Sequence, residues 1–170
     1  MTYLQPRTAA GLVVLASAAV LSSAYAFEHW GGLAPCILCW WQRYAHMGVI
    51  AIAMLALLPV GAGLRAVLLL GAAATALAGA GIAGFHVGVE QHWWQGTAEC
   101  GSTLGPATSI EEMRQRLLAQ PVVRCDEVAW SLFGISMAGY NVLISLALAA
   151  LAAAAGWKGL GVNALMTSRA

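Results

Sequence analysis

A run of 20 residues without a single charge, Thr8 to Phe27, sets the terms on which this chain can fold. Wound as an α-helix it is about 30 Å long, the thickness of a bilayer's hydrocarbon core. Three further apolar runs follow, at about 40–58, 66–87 and 132–155. Of the 170 residues, 61% are hydrophobic and 9% charged, whereas a soluble domain carries about 25% charged residues. A chain this short has too little interior to hide so much apolar surface from water, so lipid must cover it. The net charge is +1 and no cluster of Lys and Arg is present, which argues against nucleic acid as a partner.

The first run has some look of a secretory signal, with Arg7 in front and Ala24-Tyr25-Ala26 near its end. Its length exceeds the roughly 7–15 residues of a signal's apolar core, and it reads as the first span. The second run stops at Pro59-Val60-Gly61, a breaker cluster, and the fourth before Gly156-Trp157-Lys158. Gly71-x3-Thr75-x3-Gly79 and Gly84-x3-Gly88 have the small-residue spacing by which helices approach closely in lipid. The fold expected is all-α, a single membrane domain over 1–170, built as a four-transmembrane-helix bundle. Its extracytoplasmic loops are about 28–39 and 88–131.

Four spans put both termini on one side. Arg7, Arg65, Lys158 and Arg169 fall there, while all seven acidic residues fall on the other side, together with Arg43, Arg114, Arg116 and Arg124. Basic residues alone tie at four each. The place of Arg43 within a helix start, and the distance of Arg114 and Arg116 from most span ends, favour a cytoplasmic location for both termini. In the second outer loop Ser109-Ile110-Glu111-Glu112 has the form of a capping box. Ile110, Met113, Leu117 and Leu118 share one face before Pro121. A short interfacial helix is expected there.

All four cysteines fall in the two outer loops: Cys36, Cys39, Cys100 and Cys125. Three pairings are open to them. Cys36 and Cys39 form a C-x-x-C at the entry to the second span. Cysteines at helix starts have lowered pKa and more thiolate, and Cys39, nearer the helix, is expected to gain most. Arg43 lies one turn further on, a permanent cation beside that sulfur at the edge of the membrane. Zinc would want four compactly arranged ligands. The 24 residues between Cys100 and Cys125 do not supply a second knuckle, so no metal site is expected. If those two pair with each other, they staple a loop worth about 3 kcal/mol in the chain-entropy model. Two pairs facing one compartment also make a relay, because thiol–disulfide exchange passes through mixed disulfides. His86 ends the third span near Glu90, Gln91 and His92, and Trp40, Trp41, Trp93, Trp94 and Trp130 read as an interfacial aromatic belt, with Trp40 and Trp41 also candidates to line an aromatic ring site.

Pro35-Cys36-Ile37-Leu38-Cys39 with Arg43 four positions on, a cysteine-bearing second loop, and Gly134-Ile135-Ser136-Met137-Ala138 opening the last helix together resemble the bacterial disulfide bond formation protein B (DsbB) family of quinone oxidoreductases. The resemblance covers most of the chain. It implies a multi-pass protein of the bacterial inner membrane with periplasmic catalytic loops. It also implies a Cys100–Cys125 disulfide reduced by a periplasmic thioredoxin-fold dithiol protein of DsbA type, with Cys100 taking the mixed disulfide. Cys125 would pass electrons to Cys36, releasing Cys39 against a bound quinone, ubiquinone preferred to menaquinone. Arg43 and His86 match residues beside that quinone. Alternatives are a vitamin K epoxide reductase-like enzyme, whose C-x-x-C is expected late in the chain, a non-enzymatic scaffold with one structural disulfide, and a metal-binding membrane protein.

Overall fold

A computed structural model describes residues 5–100, 109–111, 114 and 123–167, with side chains to residue 161. Pro6 opens α1 (Pro6–His29) at a position where its missing N–H has no helical partner to lose. Gly32, at φ +68°, turns the chain toward α2 (Ile37–Leu57), whose N-cap is Cys36. Arg65, in the first turn of α3 (Ala62–Glu90), folds back onto the carbonyls of Ala56, Leu58 and Val60 at 2.9–3.2 Å. It thereby satisfies the orphan acceptors at the end of α2 and places a cation on the negative end of that helix. At the far end of α3 the Trp93 N–H reaches Gly88 O and the His92 N–H reaches Val89 O, with His92 at φ +59°. This is a Schellman stop with histidine in the left-handed position.

The fourth apolar run begins with a hairpin before it becomes a helix. β1 (Ser131–Leu132) pairs antiparallel with β2 (Ile135–Ser136) around Phe133-Gly134, both at positive φ. Two left-handed residues are what a tight hairpin turn needs, and Gly134 adopts that conformation freely while exposed Phe133 does not. Helix α4 (Met137–Thr167) starts only after it and runs through Gly156. The interfacial helix expected around 109–121 falls largely outside the described residues.

The chain is therefore all-helical apart from this hairpin among the described residues, and α1, α3 and α4 (over Met137–Gly161) are long and apolar enough to cross a membrane. α2 has 21 residues but contains Gln42, Arg43 and His46, all buried. Helix α3 packs along α4 and α2, and α1 lies against α2 and α4. The main core is rich in alanine, with Ala10, Ala53, Ala72 and Ala152 at its centre, so that helix backbones approach closely.

Of the glycines with small-residue spacing, Gly79 sits against Ala45, where an added Cβ would come within 3.0 Å of that side chain, whereas Gly84 faces open space. Gly88 has another use. A Cβ there would overlap the indole of Trp94, whose Nε1–H donates to Phe85 O at 3.0 Å. Gly88→Ala is expected to expel the ring and lower stability by roughly 1–3 kcal/mol, as overpacking does. Thermal unfolding together with the shift in Trp emission checks it.

A second, smaller cluster gathers Cys36, Leu38, Val89 and Cys125, flanked by Cys39 and Cys100. All four cysteines thus lie in one apolar neighbourhood.

Candidate active site

The site begins with the N-cap of α2. Cys36 has extended backbone angles, and its sulfur accepts the Cys39 N–H at 3.3 Å. The free N–H groups of a helix start point at the cap side chain. The helix end therefore acts on Cys36 rather than on Cys39, where the sequence reading put it. Cys36 Sγ also lies 2.9 Å from Cys39 Sγ and 3.6 Å from His86 Nε2. The Cys39 thiol, the His86 ring and that backbone N–H together pull the Cys36 thiol well below its ordinary range, against the opposing effect of burial.

Arg43 is buried one turn beyond Cys39, and its guanidinium is taken up by α1. It donates to the Glu28 carboxylate and, at 3.2 Å, to Ala24 O. It lies between the rings of Tyr25 and Trp40, 4.6 and 4.9 Å from their centroids. No hydrogen bond joins it to Cys39 among the described residues; both line the same cavity. Trp40, one of the belt tryptophans, thus has a second role as a wall of this cage.

His86, on α3, reaches Cys36 from the opposite side. Its Nε2 is also 3.9 Å from Glu90 Oε1, and the Ser136 hydroxyl donates to that carboxylate's other oxygen. Ser136 in turn accepts the Gly139 N–H at 3.1 Å, which fixes the hairpin end and the start of α4 at the site.

The sequence reading missed a buried polar chain behind these groups. Gln42 Nε2 lies 3.1 Å from Leu38 O and 2.9 Å from His86 Nδ1. Asn141 Nδ2 donates to Gln42 Oε1 at 2.6 Å, and Asn141 Oδ1 is 2.8 Å from His46 Nε2 and 3.3 Å from Ser145 Oγ. The signal was present: Gln42 and His46 are four apart within one apolar run, as are Asn141 and Ser145 within another. Polar groups inside spans are functional candidates by default.

Cys100 and Cys125 are joined by a disulfide. Thr97 donates to the Cys100 sulfur at 3.5 Å, and Cys125 is fully buried. Beside it Arg124 grips Asp126 with two bonds of 2.9 and 2.6 Å and holds that carboxyl at about 2. The disulfide lies against the same small cluster as the Cys36–Cys39 dithiol.

Between α1, α2 and α4 lies a cavity of about 350 Å³. Val20, Leu21, Phe27 and Ile144 give it apolar walls, and Cys36, Cys39, Arg43 and His86 are among its polar residues. The two sulfurs and the His86 nitrogen lie within 4.8 Å of one another. These are three donors, one short of the closed tetrahedral shell of structural zinc.

A dithiol and a disulfide sharing one apolar cluster, in a chain with helices of membrane length, define a membrane thiol–disulfide protein. The chain belongs to the DsbB family: the family model for disulfide bond formation protein DsbB matches residues 6–155. It is 36% identical over 144 residues to disulfide bond formation protein B of Marinobacter nauticus, covering 78% of this chain and 81% of that protein. Identity to the Methylococcus capsulatus protein of the same name is 34% over 162 residues, covering 93% and 98%. It is also 34% over 148 residues to disulfide bond formation protein B 2 of Pseudomonas entomophila, covering 81% and 83%. No solved structure gives a significant match. The resemblance read from Pro35-Cys36-x-x-Cys39 and Arg43 is thereby borne out.

Proposed function

We propose that this protein is a dithiol:quinone oxidoreductase of the bacterial inner membrane that reoxidises a periplasmic thioredoxin-fold oxidase of DsbA type. All four helices cross the bilayer in this reading. Both termini are cytoplasmic and the cysteine loops periplasmic. The observation that carries it is the convergence of Cys36, Cys39, Cys100 and Cys125 on one cluster beside a cavity lined by Arg43 and His86.

The steps balance as exchanges of one bond for another. A partner thiolate attacks Cys100, and Cys125 leaves with the electron pair. The partner's second thiolate then closes its own disulfide and frees Cys100. Cys125 attacks Cys36 of a Cys36–Cys39 disulfide, and Cys39 leaves as thiolate. Cys100 then closes on Cys125, and Cys36 departs. Two electrons now rest on the Cys36–Cys39 dithiol. A relay of this kind stops after one turnover unless a membrane acceptor follows. A quinone, when bound, supplies that acceptor by taking up two electrons and two protons. The cavity suits its flat apolar ring, while Arg43 and His86 offer polar contacts at the edge and the walls exclude water. Ubiquinone is preferred to menaquinone.

The test uses purified protein in lipid discs, a reduced thioredoxin-fold oxidase and a water-soluble ubiquinone analogue. One quinone is expected to be consumed for every partner disulfide formed, followed by quinone absorbance and partner thiol titration. Partner oxidation without quinone consumption would overturn the reading.

A further inference from the structure

We propose that Gln42 and Asn141 are positioning residues: polarised by the Leu38 carbonyl, they hold His86 with its proton on Nε2, aimed at the sulfur of Cys36. The effect on exchange rests on the function proposed above; the tautomer itself does not.

The polarity follows link by link. A backbone carbonyl only accepts, so the Gln42 side chain must turn its NH2 toward Leu38 O. The same NH2 then faces His86 Nδ1, and the Gln42 oxygen faces Asn141. Opposite an oxygen, Asn141 must present its own NH2, which turns its oxygen toward His46 Nε2 and the Ser145 hydroxyl. No link can be reversed without setting donor against donor or acceptor against acceptor.

At the near end, a donor pointing at Nδ1 requires a lone pair there, so the His86 proton sits on Nε2. Two groups near Nε2 are compatible with this, since Cys36 Sγ at 3.6 Å and Glu90 Oε1 at 3.9 Å can each accept a hydrogen. At the far end, His46 must donate from Nε2, which leaves Nδ1 as an acceptor. That atom is buried and has no hydrogen-bond partner among the described residues. The polarity also bears on metal binding, since zinc at Cys36, Cys39 and His86 needs the Nε2 lone pair that the proton occupies.

The consequence for exchange falls on one step. When the Cys100–Cys125 bond forms and the Cys125–Cys36 bond breaks, the departing electron pair stays on Cys36 Sγ. A fixed N–H aimed at that sulfur stabilises it as it becomes an anion and makes it a better leaving group.

The test is nitrogen-15 NMR of the histidine-labelled, reduced full-length protein in lipid discs, with His86 assigned by its loss in His86→Gln. A bare Nδ1 and a protonated Nε2 are expected at neutral pH. In Gln42→Leu the Nδ1–H tautomer should become populated. Mass-resolved alkylation of Cys36 should then need a pH about one unit higher, and release of Cys36 from a mixed disulfide should slow about tenfold. A protonated Nδ1 in the unaltered protein, or one zinc ion held by His86 in the reduced protein, would overturn the proposal. An unchanged alkylation profile in a folded Gln42→Leu would do the same. Should that variant not fold, the tautomer of the unaltered protein decides. Loss of quinone reduction with the expected tautomer would count against the proposed function and leave this inference standing.

Discussion

Replacing Cys36 with serine is expected to leave a protein that oxidises its partner once and then stops. The Cys100–Cys125 disulfide is intact in such a variant, so one partner disulfide should form per molecule in a rapid burst. Steady turnover should fall by about 10³-fold or more, because a hydroxyl neither forms a disulfide nor ionises near neutral pH. Cys36 is the sulfur on which the Cys39 backbone N–H, the Cys39 thiol and the His86 ring converge, and among the described residues no other cysteine has such a set. Rapid-mixing partner oxidation, with quinone absorbance followed in parallel, checks both parts. Continued turnover would remove Cys36 from the route, and a missing burst would place the entry point elsewhere than Cys100.

Removing Arg43 is expected to have the next largest effect, and it must be separated from damage to the fold. Arg43→Ala strips Glu28 of its ion partner, and the Glu28 side chain is already 22% exposed beside Arg43. Breaking a fully buried pair costs about 3–5 kcal/mol. With partial access to water, about 2 kcal/mol is a fairer expectation here. Arg43→Met combined with Glu28→Gln avoids the orphaned charge. In that double variant the burst of partner oxidation should survive, while the KM for the quinone analogue rises about tenfold or more. Unchanged quinone kinetics would reduce Arg43 to a tie between α1 and α2.

The class of fold was legible because lipid imposes a length and a polarity on every helix it surrounds. The cysteines were legible because a C-x-x-C at a helix entry has a chemistry of its own. Four features were not. The span reading passed over Gln42, Asn141 and Ser145; their meaning depends on contacts between residues 44 and 99 positions apart. The partner of Arg43 was likewise expected along its own helix, yet it sits on α1, 15 positions earlier. The benefit of the helix end was assigned one turn too late. Proximity to the helix suggested Cys39, but the cap position, not the first turn, faces the free N–H groups. The hairpin at 131–136 was hidden in an apolar segment that reads equally well as the beginning of a helix.

The pairing of Arg43 with Glu28 also bears on how the chain is made. A charged side chain within a lone helix is costly to insert into lipid, and α2, with Arg43 in its second turn, also carries a glutamine and a histidine. Glu28 lies on the preceding helix and leaves the ribosome first. The counter-ion is therefore waiting when the guanidinium arrives, and in the four-span arrangement proposed above the first two helices enter the bilayer with Glu28 and Arg43 already paired.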